Sequence, residues 1–255
     1  MATSEPIGRR PVETPRAGHL DEGFGHTVVY ESEVPRHNVH TRLVHWGVAI
    51  FFVAALLSGF AIFTPWLYAW LTPLFGGGAR ARLLHPWFGI GFVIMMILQL
   101  RGWFHDMRWQ PSDRLWLKRI RAYVTHEDRV EPDYVGKFNA GQKMWFWTMV
   151  AAGVVFLITG IPLWFPEYLG RTLMWICYFF HDIAGLVMLG GFLVHIYEGT
   201  AALPGTFRSM VRGTVTRAWA WTHHPGWYRQ ITGRDPKADL ERAEKIRAEN
   251  PGPRW

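Results

Sequence analysis

Four of the twelve histidines in this 255-residue chain lie in or at the ends of long runs without charged residues: His45, His85, His181 and His195. His181 and His195 are 14 residues apart. On one helix this spacing corresponds to a rise of about 21 Å and returns to within roughly 40° of the same face. A single helix would therefore present two imidazoles on one side, at two depths.

Charged residues next to these runs assign a depth to each histidine. His195 is three residues before Glu198, and His45 is three residues after Arg42, so these two share one boundary. His85 is three residues after an arginine at the opposite boundary. His181 lies at that opposite level as well, because it is about 21 Å from His195 along the same helix. The sequence thus predicts two pairs of histidines, one near each face of a membrane.

Paired imidazoles in a dry interior suit a low-spin haem iron with both axial positions filled, an arrangement for electron transfer. We therefore predict two haem b groups. His45 and His195 would bind the iron of one haem, which we call the inner haem. His85 and His181 would bind the iron of the other, which we call the outer haem. Two alternatives stay open for any single histidine, which can be a polar interfacial residue or part of a proton relay in a transporter.

The cysteine content limits other kinds of redox centre. The chain has one cysteine, Cys177. By itself it cannot bind an iron–sulfur cluster, form an internal disulfide, or attach haem through a Cys-x-x-Cys-His motif. Any redox group must therefore be bound non-covalently through other ligands.

The composition is apolar, with 49% hydrophobic and 18% charged residues, 15 Trp and 17 Phe. The formal charge of +7 does not indicate nucleic acid, because the Lys and Arg residues fall between long charge-free runs. Each of four runs reaches or approaches the ~20 residues that cross a hydrocarbon core of roughly 30 Å. We predict an all-α integral membrane protein, a bundle of four transmembrane helices at residues 43–64, 83–102, 144–165 and 172–198, holding two b haems.

These spans divide the chain into a polar N-terminal tail (1–40), a four-helix dihaem cytochrome b membrane domain (41–222) and a C-terminal tail (223–255). Of the 27 Lys and Arg residues, 5 precede the first span, 9 lie in the stretch from Arg101 to Lys143, and 10 follow the fourth span, against 3 in the other two loops. By the positive-inside rule, both termini and the central loop face the cytoplasm.

Six segments resemble the gamma (cytochrome b556) subunit of membrane-bound formate dehydrogenases. They are residues 42–46 (RLVHW), 82–89 (RLLHPWFG), 136–143 (GKFNAGQK), 181–185 (HDIAG), 193–197 (LVHIY) and 223–228 (HHPGWY). The resemblance covers roughly residues 38–230 in order. The segment 136–143 is the most specific, because membrane-helix composition alone does not explain it. The long N-terminal tail and Asp182 depart from the family pattern.

The resemblance implies a multi-pass subunit of the bacterial inner membrane within a larger complex. A molybdenum or tungsten catalytic (alpha) subunit would oxidise formate, so that chemistry would lie outside this chain. An iron–sulfur (beta) subunit would pass electrons to the outer haem, then to the inner haem and to menaquinone or ubiquinone.

The resemblance also implies a quinone site at the cytoplasmic side. The family segment that matches Asn139, Gly141 and Gln142 lines the quinone pocket beside the inner-haem histidine, here His195. An amide side chain and a glycine N–H can donate hydrogen bonds to the quinone carbonyls. Local sequence alone favours another interpretation, in which Asn139 caps the third helix.

Two rival functions remain. Related four-helix cytochromes serve hydrogenases and other respiratory oxidoreductases, and the histidine spacing alone does not separate them from this chain. A histidine-dependent proton-coupled transporter is the rival from another class, and it predicts paired repeats and broken helices that the sequence does not show.

The start of the fourth span suggests a docking surface. If His181 is close to the outer boundary, residues 172–180 continue into the headgroup region or beyond it. We expect an iron–sulfur subunit to cover this apolar segment, and Asp182 to lie near that interface or the haem propionates. Exposure to lipid through helix tilt is the alternative.

Overall fold

The computed structural model describes residues 33–125 and 131–249. Four long helices dominate it: α1 (Val39–Phe63), α3 (Gly78–Trp103), α6 (Ala140–Trp164) and α7 (Arg171–Tyr197). Within the described ranges, these are the helices whose length and apolar composition suffice to cross a membrane. The prediction of a four-helix membrane protein is confirmed.

The helices α1, α3 and α6 begin four or five residues before the predicted spans. Charge-free runs mark the hydrocarbon core, whereas a helix continues into the headgroup region, where charged side chains reach water. Local caps set the actual beginnings. The Asn38 side chain accepts a hydrogen bond of 2.8 Å from the Thr41 N–H at the start of α1. Because α3 begins at Gly78, His85 lies two turns inside that helix.

Shorter helices connect and follow the four spans. They are α2 (Pro65–Leu71), α4 (Pro111–Leu117), α5 (Ile120–Val124), α8 (Thr206–Val211), α9 (Arg217–His223), α10 (Pro225–Thr232) and α11 (Pro236–Glu249). Two 3-10 turns, Thr72–Phe75 and Pro166–Tyr168, and a π-helical turn, Glu198–Ala202, complete the helical elements of the described chain.

A two-stranded antiparallel sheet is the departure from a purely helical fold. Strand β1 (Glu33–Pro35) pairs with β2 (Thr214–Thr216), so that Val34 lies opposite Val215. Both valines are buried with the aromatic side chains of α9 and α10. Three-residue strands leave no alternating pattern long enough to be read, which is why the sequence did not predict them.

The bundle packs α1 on α3, α3 on α6, and α6 on α7. Its core contains Phe52, Phe92, Phe146, Met149 and Met188, all buried. Many large apolar side chains point outward from the same helices, as expected where lipid and not water is the solvent. This arrangement directs one face of each helix to the interior, where the histidines lie.

One end of the bundle is covered by non-membrane segments, and we call it the covered end. There α1 and α6 begin while α3 and α7 end, and the opposite end is called the far end. The Gly226 N–H donates to the Val135 carbonyl at 2.9 Å. A Cβ at Gly226 would lie 2.8 Å from that same oxygen, so the two segments fit only because residue 226 is glycine.

Arg36 holds this cover together from its centre. Its guanidinium donates to the Lys137 carbonyl at 2.7 Å and lies 3.1 Å from Nε2 of His224. It also stacks over the rings of Trp219 and Trp227, at 4.7 and 4.9 Å from their centroids. The His224 Nδ1–H donates to the residue before Lys137, at the Gly136 carbonyl, over 2.8 Å. The resembling segments 136–143 and 223–228 are therefore in direct contact.

Candidate functional site

At the covered end, α1 and α7 bring two of the predicted ligands together. The ring centroids of His45 and His195 are 6.1 Å apart. The indole of Trp145, from α6, stacks on His195 with a centroid distance of 5.7 Å and an interplanar angle of 23°. Three of the four spans thus contribute to this level.

At the far end, α3 and α7 bring the other two predicted ligands together. The ring centroids of His85 and His181 are 6.2 Å apart. Phe156 of α6 contacts His181 edge-on at 5.1 Å. Each predicted pair is therefore a pair in space, and α7 contributes one histidine to each.

The spacing within each pair fits two axial ligands of one iron. Imidazole nitrogens bind first-row metal ions at about 2.0 Å, so two ligands of one ion have their nitrogens about 4 Å apart. A ring radius of roughly 1.1 Å at each side puts the centroids about 6 Å apart. The observed values are 6.1 and 6.2 Å. No group of three or more His, Cys, Asp or Glu side chains suited to a metal ion occurs in the described ranges.

Aromatic side chains fill the interior between the two levels. The ring centroid of Phe52 is 5.1 Å from that of Phe192 and 5.7 Å from that of Phe92. Phe92 in turn lies 6.4 Å from Phe156, which contacts the far-end pair. These apolar rings give the space between the pairs a low-dielectric lining, which suits a site for redox groups.

The residues assigned to quinone form a helix N-terminus at the covered end. The Asn139 side chain accepts from the Gln142 N–H at 2.9 Å, and the Gln142 side chain accepts from the Asn139 N–H at 3.0 Å. This is a capping box, so the capping interpretation of Asn139 is confirmed. Both side-chain oxygens are used in it, so a hydrogen bond from either side chain to a ligand must come from an N–H of its NH2 group.

Gly141 connects this N-terminus to the histidine pair. It lies one turn before Trp145, the residue that stacks on His195. A Cβ at Gly141 would lie 3.1 Å from the indole of Trp116, so its backbone faces an aromatic wall. The predicted quinone residues and His195 therefore belong to one region of the covered end.

Two further polar residues of this region were missed by the sequence reasoning. The Tyr123 hydroxyl donates to the Glu198 carboxylate at 3.1 Å and is also hydrogen-bonded by the Asn139 side chain. Burial, followed by the charge of Glu198, raises the pKa of Tyr123, so the phenol stays protonated. The position of Glu198, three residues after His195, was a signal that could have indicated its part in the site.

Four spanning helices joined across their interior by two pairs of histidines are the arrangement of a membrane-bound cytochrome b. A model of the prokaryotic cytochrome b561 family matches residues 36–213, and this chain belongs to that family.

Within this family, the curated relatives that match the chain are cytochrome b556 subunits of formate dehydrogenases. The cytochrome b556(Fdn) subunit of the nitrate-inducible formate dehydrogenase of Escherichia coli is 36% identical over 204 residues, which cover 78% of this chain and 92% of the relative. The cytochrome b556 subunit of Haemophilus influenzae formate dehydrogenase is 35% identical and covered to 84%. A formate dehydrogenase cytochrome b556(fdo) subunit, also from E. coli, is 34% identical, and the match covers 93% of that relative. The resemblance to formate dehydrogenase cytochrome b556 subunits is confirmed, and a cytochrome family disfavours the transporter alternative.

Proposed function

We propose that this chain is the cytochrome b subunit that anchors a formate dehydrogenase in the membrane and links it to quinone. The observation that carries the proposal is that α7 presents His181 and His195 to a histidine of α3 and a histidine of α1, at opposite ends of the bundle. The names of the relatives supply the formate dehydrogenase context.

The residues would hold two b haems, the outer one at His85 and His181 and the inner one at His45 and His195. When bound, haem supplies one-electron redox chemistry at a potential that the surrounding protein adjusts. Two imidazoles from the protein would hold each haem, which suits electron transfer and not oxygen binding. The aromatic side chains between the pairs would give both haems an apolar surrounding.

The covered end would face the cytoplasm of a bacterium, with the far end outside the inner membrane. Of the 27 Lys and Arg residues, 24 belong to the covered-end segments and the two tails. The loops of the far end carry the other 3. This asymmetry supports cytoplasmic termini, because positive residues are retained on that side.

Quinone, either menaquinone or ubiquinone, would bind at the covered end beside His195. The side-chain amides of Asn139 and Gln142 and the backbone of Gly141 would donate to its carbonyls. Reduction of a quinone to a quinol takes up two electrons and two protons. Glu198, which accepts a hydrogen bond from Tyr123 at this site, is a carboxylate suited to pass protons from the cytoplasm.

The iron–sulfur subunit would dock at the far end, with the molybdenum or tungsten catalytic subunit beyond it. Helix α7 begins ten residues before His181, or about 15 Å further out. By contrast, α6 ends only five residues after Thr159, the residue that contacts His181 from that helix. The α7 extension carries exposed aromatic side chains, among them Trp175 at 69% and Phe179 at 61% exposure. A partner would cover them, and Asp182 follows directly on the same helix.

A haem count on the purified chain tests the proposal. We expect two haems per chain by the pyridine haemochrome assay, and loss or disturbance of one in each single histidine variant. His45→Ala and His195→Ala should affect the same haem, and His85→Ala and His181→Ala the other. His40→Ala, an exposed histidine of α1, is the matched control and should retain both. A single haem, or no loss in the four variants, would overturn the assignment.

A further inference from the structure

Two hydroxyl groups lie directly behind the far-end histidines. The Ser58 Oγ is 3.0 Å from Nδ1 of His85, and the Thr159 Oγ1 is 2.8 Å from Nδ1 of His181. Both hydroxyl residues are buried. They come from α1 and α6, the two spans that supply no ligand at this level. Each far-end imidazole therefore has a polar partner from a neighbouring helix.

The direction of these hydrogen bonds follows from the single hydrogen of each hydroxyl. Ser58 donates to the Ala54 carbonyl at 2.7 Å, and Thr159 donates to the Val155 carbonyl at 2.6 Å. Each carbonyl is four residues earlier on the same helix, the usual partner of a hydroxyl in a membrane helix. Since the hydrogens are used there, the hydroxyl oxygens accept from the imidazole Nδ1–H groups.

This arrangement fixes the tautomer of both far-end histidines. His85 has a second acceptor for its Nδ1–H, the Ala55 carbonyl at 3.1 Å. With the proton on Nδ1, each Nε2 keeps a free lone pair and is the nitrogen able to bind iron.

Each hydroxyl residue is followed by a glycine that lets the imidazole approach the helix. A Cβ at Gly59 would lie 3.1 Å from Cε1 of His85, closer than a well-packed Cβ tolerates. A Cβ at Gly160 would lie 3.4 Å from Cε1 of His181, an ordinary contact distance. The dipeptides Ser58–Gly59 and Thr159–Gly160 thus occupy corresponding places on two helices, and the closer fit is at Gly59.

The covered-end pair is built differently. Nδ1 of His45 is buried, and within the described part of the chain it has no hydrogen-bond partner. At this level α6 contributes Trp145, whose ring stacks on His195 and offers no acceptor. The two pairs therefore differ in their hydrogen-bonding surroundings although their centroid distances are nearly equal.

We propose that the hydroxyls of Ser58 and Thr159 lower the reduction potential of the outer haem relative to the inner one. The proposal rests on the haem ligation of the proposed function. A hydrogen bond from Nδ1–H makes an imidazole a more basic ligand, which stabilises the oxidised iron. An outer centre of lower potential makes transfer from the far end to the covered end favourable. Ser58 and Thr159 act through the ligands and are positioning residues.

Redox titration of the complex in detergent, followed by optical spectra of the reduced haems, tests this inference. The variants are Ser58→Ala and Thr159→Val, which remove the hydroxyl with little change in shape, singly and together. Each should raise the ratio of reduced to oxidised outer haem at a fixed applied potential by roughly two- to tenfold, the range of one net hydrogen bond. The inner haem should keep its midpoint.

Conservative variants keep the test independent of folding. Thr159→Ser retains the acceptor and should titrate as the wild type does. If Ser58→Ala loses the outer haem, Ser58→Cys replaces the oxygen with a weaker acceptor of similar size, and its midpoint should still rise. An unchanged outer midpoint, or an equal shift of both haems, would overturn the proposal.

Failure of the proposed function would look different. In that case the wild-type sample would lack two haems, or the spectral component assigned to the outer haem would persist in His85→Ala. Both measurements are made on the same preparations before the redox titration, so the two failures are distinguishable.

Discussion

The ammonium of Lys143 and the carboxylate of Asp113 form a buried ion pair at 2.8 Å, with both side chains about 5% exposed. The pair fastens α4 to the beginning of α6, next to the candidate quinone site. We predict that Lys143→Met lowers the free energy of unfolding by about 3–5 kcal/mol, because it leaves a buried carboxylate without its partner. Thermal unfolding in detergent measures the effect.

An exposed ion pair of the same region is the matched control. Lys137 lies 2.8 Å from Asp106, but both side chains are 33% exposed. Lys137→Met should therefore change stability by about 1 kcal/mol or less. Equal effects of the two Met substitutions would contradict the prediction, whereas the double variant Asp113→Leu with Lys143→Met should recover much of the loss.

Acidification should loosen the cover of the covered end. Burial and the charge of Arg36 lower the pKa of His224 well below its usual value, and similar causes lower the pKa of His37 to about 3. Both are neutral when folded, whereas in the unfolded chain they bind protons below about pH 6.5. Stability is therefore complete above that pH and falls as the pH decreases, by up to about 1.4 kcal/mol per unit for each histidine.

Hydrogen exchange of residues 131–138 and 214–232 between pH 7.5 and pH 5.5 measures this opening. His224→Asn, which keeps a donor for the Gly136 carbonyl and does not titrate, should show a smaller pH dependence than the wild type. A variant with the full wild-type slope would assign the effect to other groups.

The amide of Gln142 should matter for quinone apart from its role in capping. Gln142→Glu keeps the oxygen that accepts from the Asn139 N–H but removes the NH2 donor. We predict that both haems stay bound and reducible while reoxidation by quinone slows at least severalfold. Stopped-flow absorbance measures it.

Alanine substitutions at this site combine two effects. Asn139→Ala removes the helix cap at a cost of about 1 kcal/mol as well as a quinone donor, so slow reoxidation in it alone is ambiguous. If Gln142→Glu is reoxidised at the wild-type rate, the segment from Asn139 to Gln142 has a purely structural role.

Glu198 should govern proton uptake during quinone reduction. Glu198→Gln keeps an acceptor for the Tyr123 hydroxyl but cannot carry a proton. We expect haem content to be unchanged and quinol formation to slow, with a greater loss at high pH than at low pH. Tyr123→Phe, which removes only the hydroxyl, separates the effect of the hydrogen bond from that of the carboxyl. The pH profile of quinone reduction is the measurement, and identical profiles would exclude the role.

The Trp145 indole should be displaced by a single methyl group on α7. A Cβ at Gly191 would collide with the Trp145 ring, whereas a Cβ at neighbouring Gly190 would meet no atom within 4 Å. Gly191→Ala should therefore shift the spectrum and midpoint of the inner haem and leave the outer haem unchanged. Gly190→Ala is the control and should resemble the wild type. An outer-haem shift in Gly191→Ala would contradict the assignment of levels.

The four spans were predictable because a membrane helix must be free of charge over about 20 residues. The pairing of the histidines was predictable for a related reason. The 14-residue separation of His181 and His195 and their distances from charged boundaries determine depth without any knowledge of packing. Both features depend on residues close together in the sequence.

Other features of the site depend on contacts between segments that are distant in the sequence, and the sequence did not predict them. Nothing near Ser58 or Thr159 in the sequence indicates which imidazole each one contacts. A hydroxyl residue followed by glycine does occur within two of the apolar runs, and this pattern could have marked both positions as candidate polar contacts. The contact of Arg36 with residues 101 and 188 positions away has no local pattern at all. The resemblance named segments 136–143 and 223–228, but only the fold shows that they touch.

The pairing of β1 with β2 has a consequence for biogenesis. Glu33–Pro35 cannot pair until Thr214–Thr216 has been synthesised, and the contacts of Arg36 are complete only once His224 has followed. During translation the four spans can therefore assemble before the sheet and the contacts of Arg36 close the covered end. If His45 and His195 hold a haem as proposed, this order leaves their level accessible to the cofactor until residues 214–224 have been synthesised.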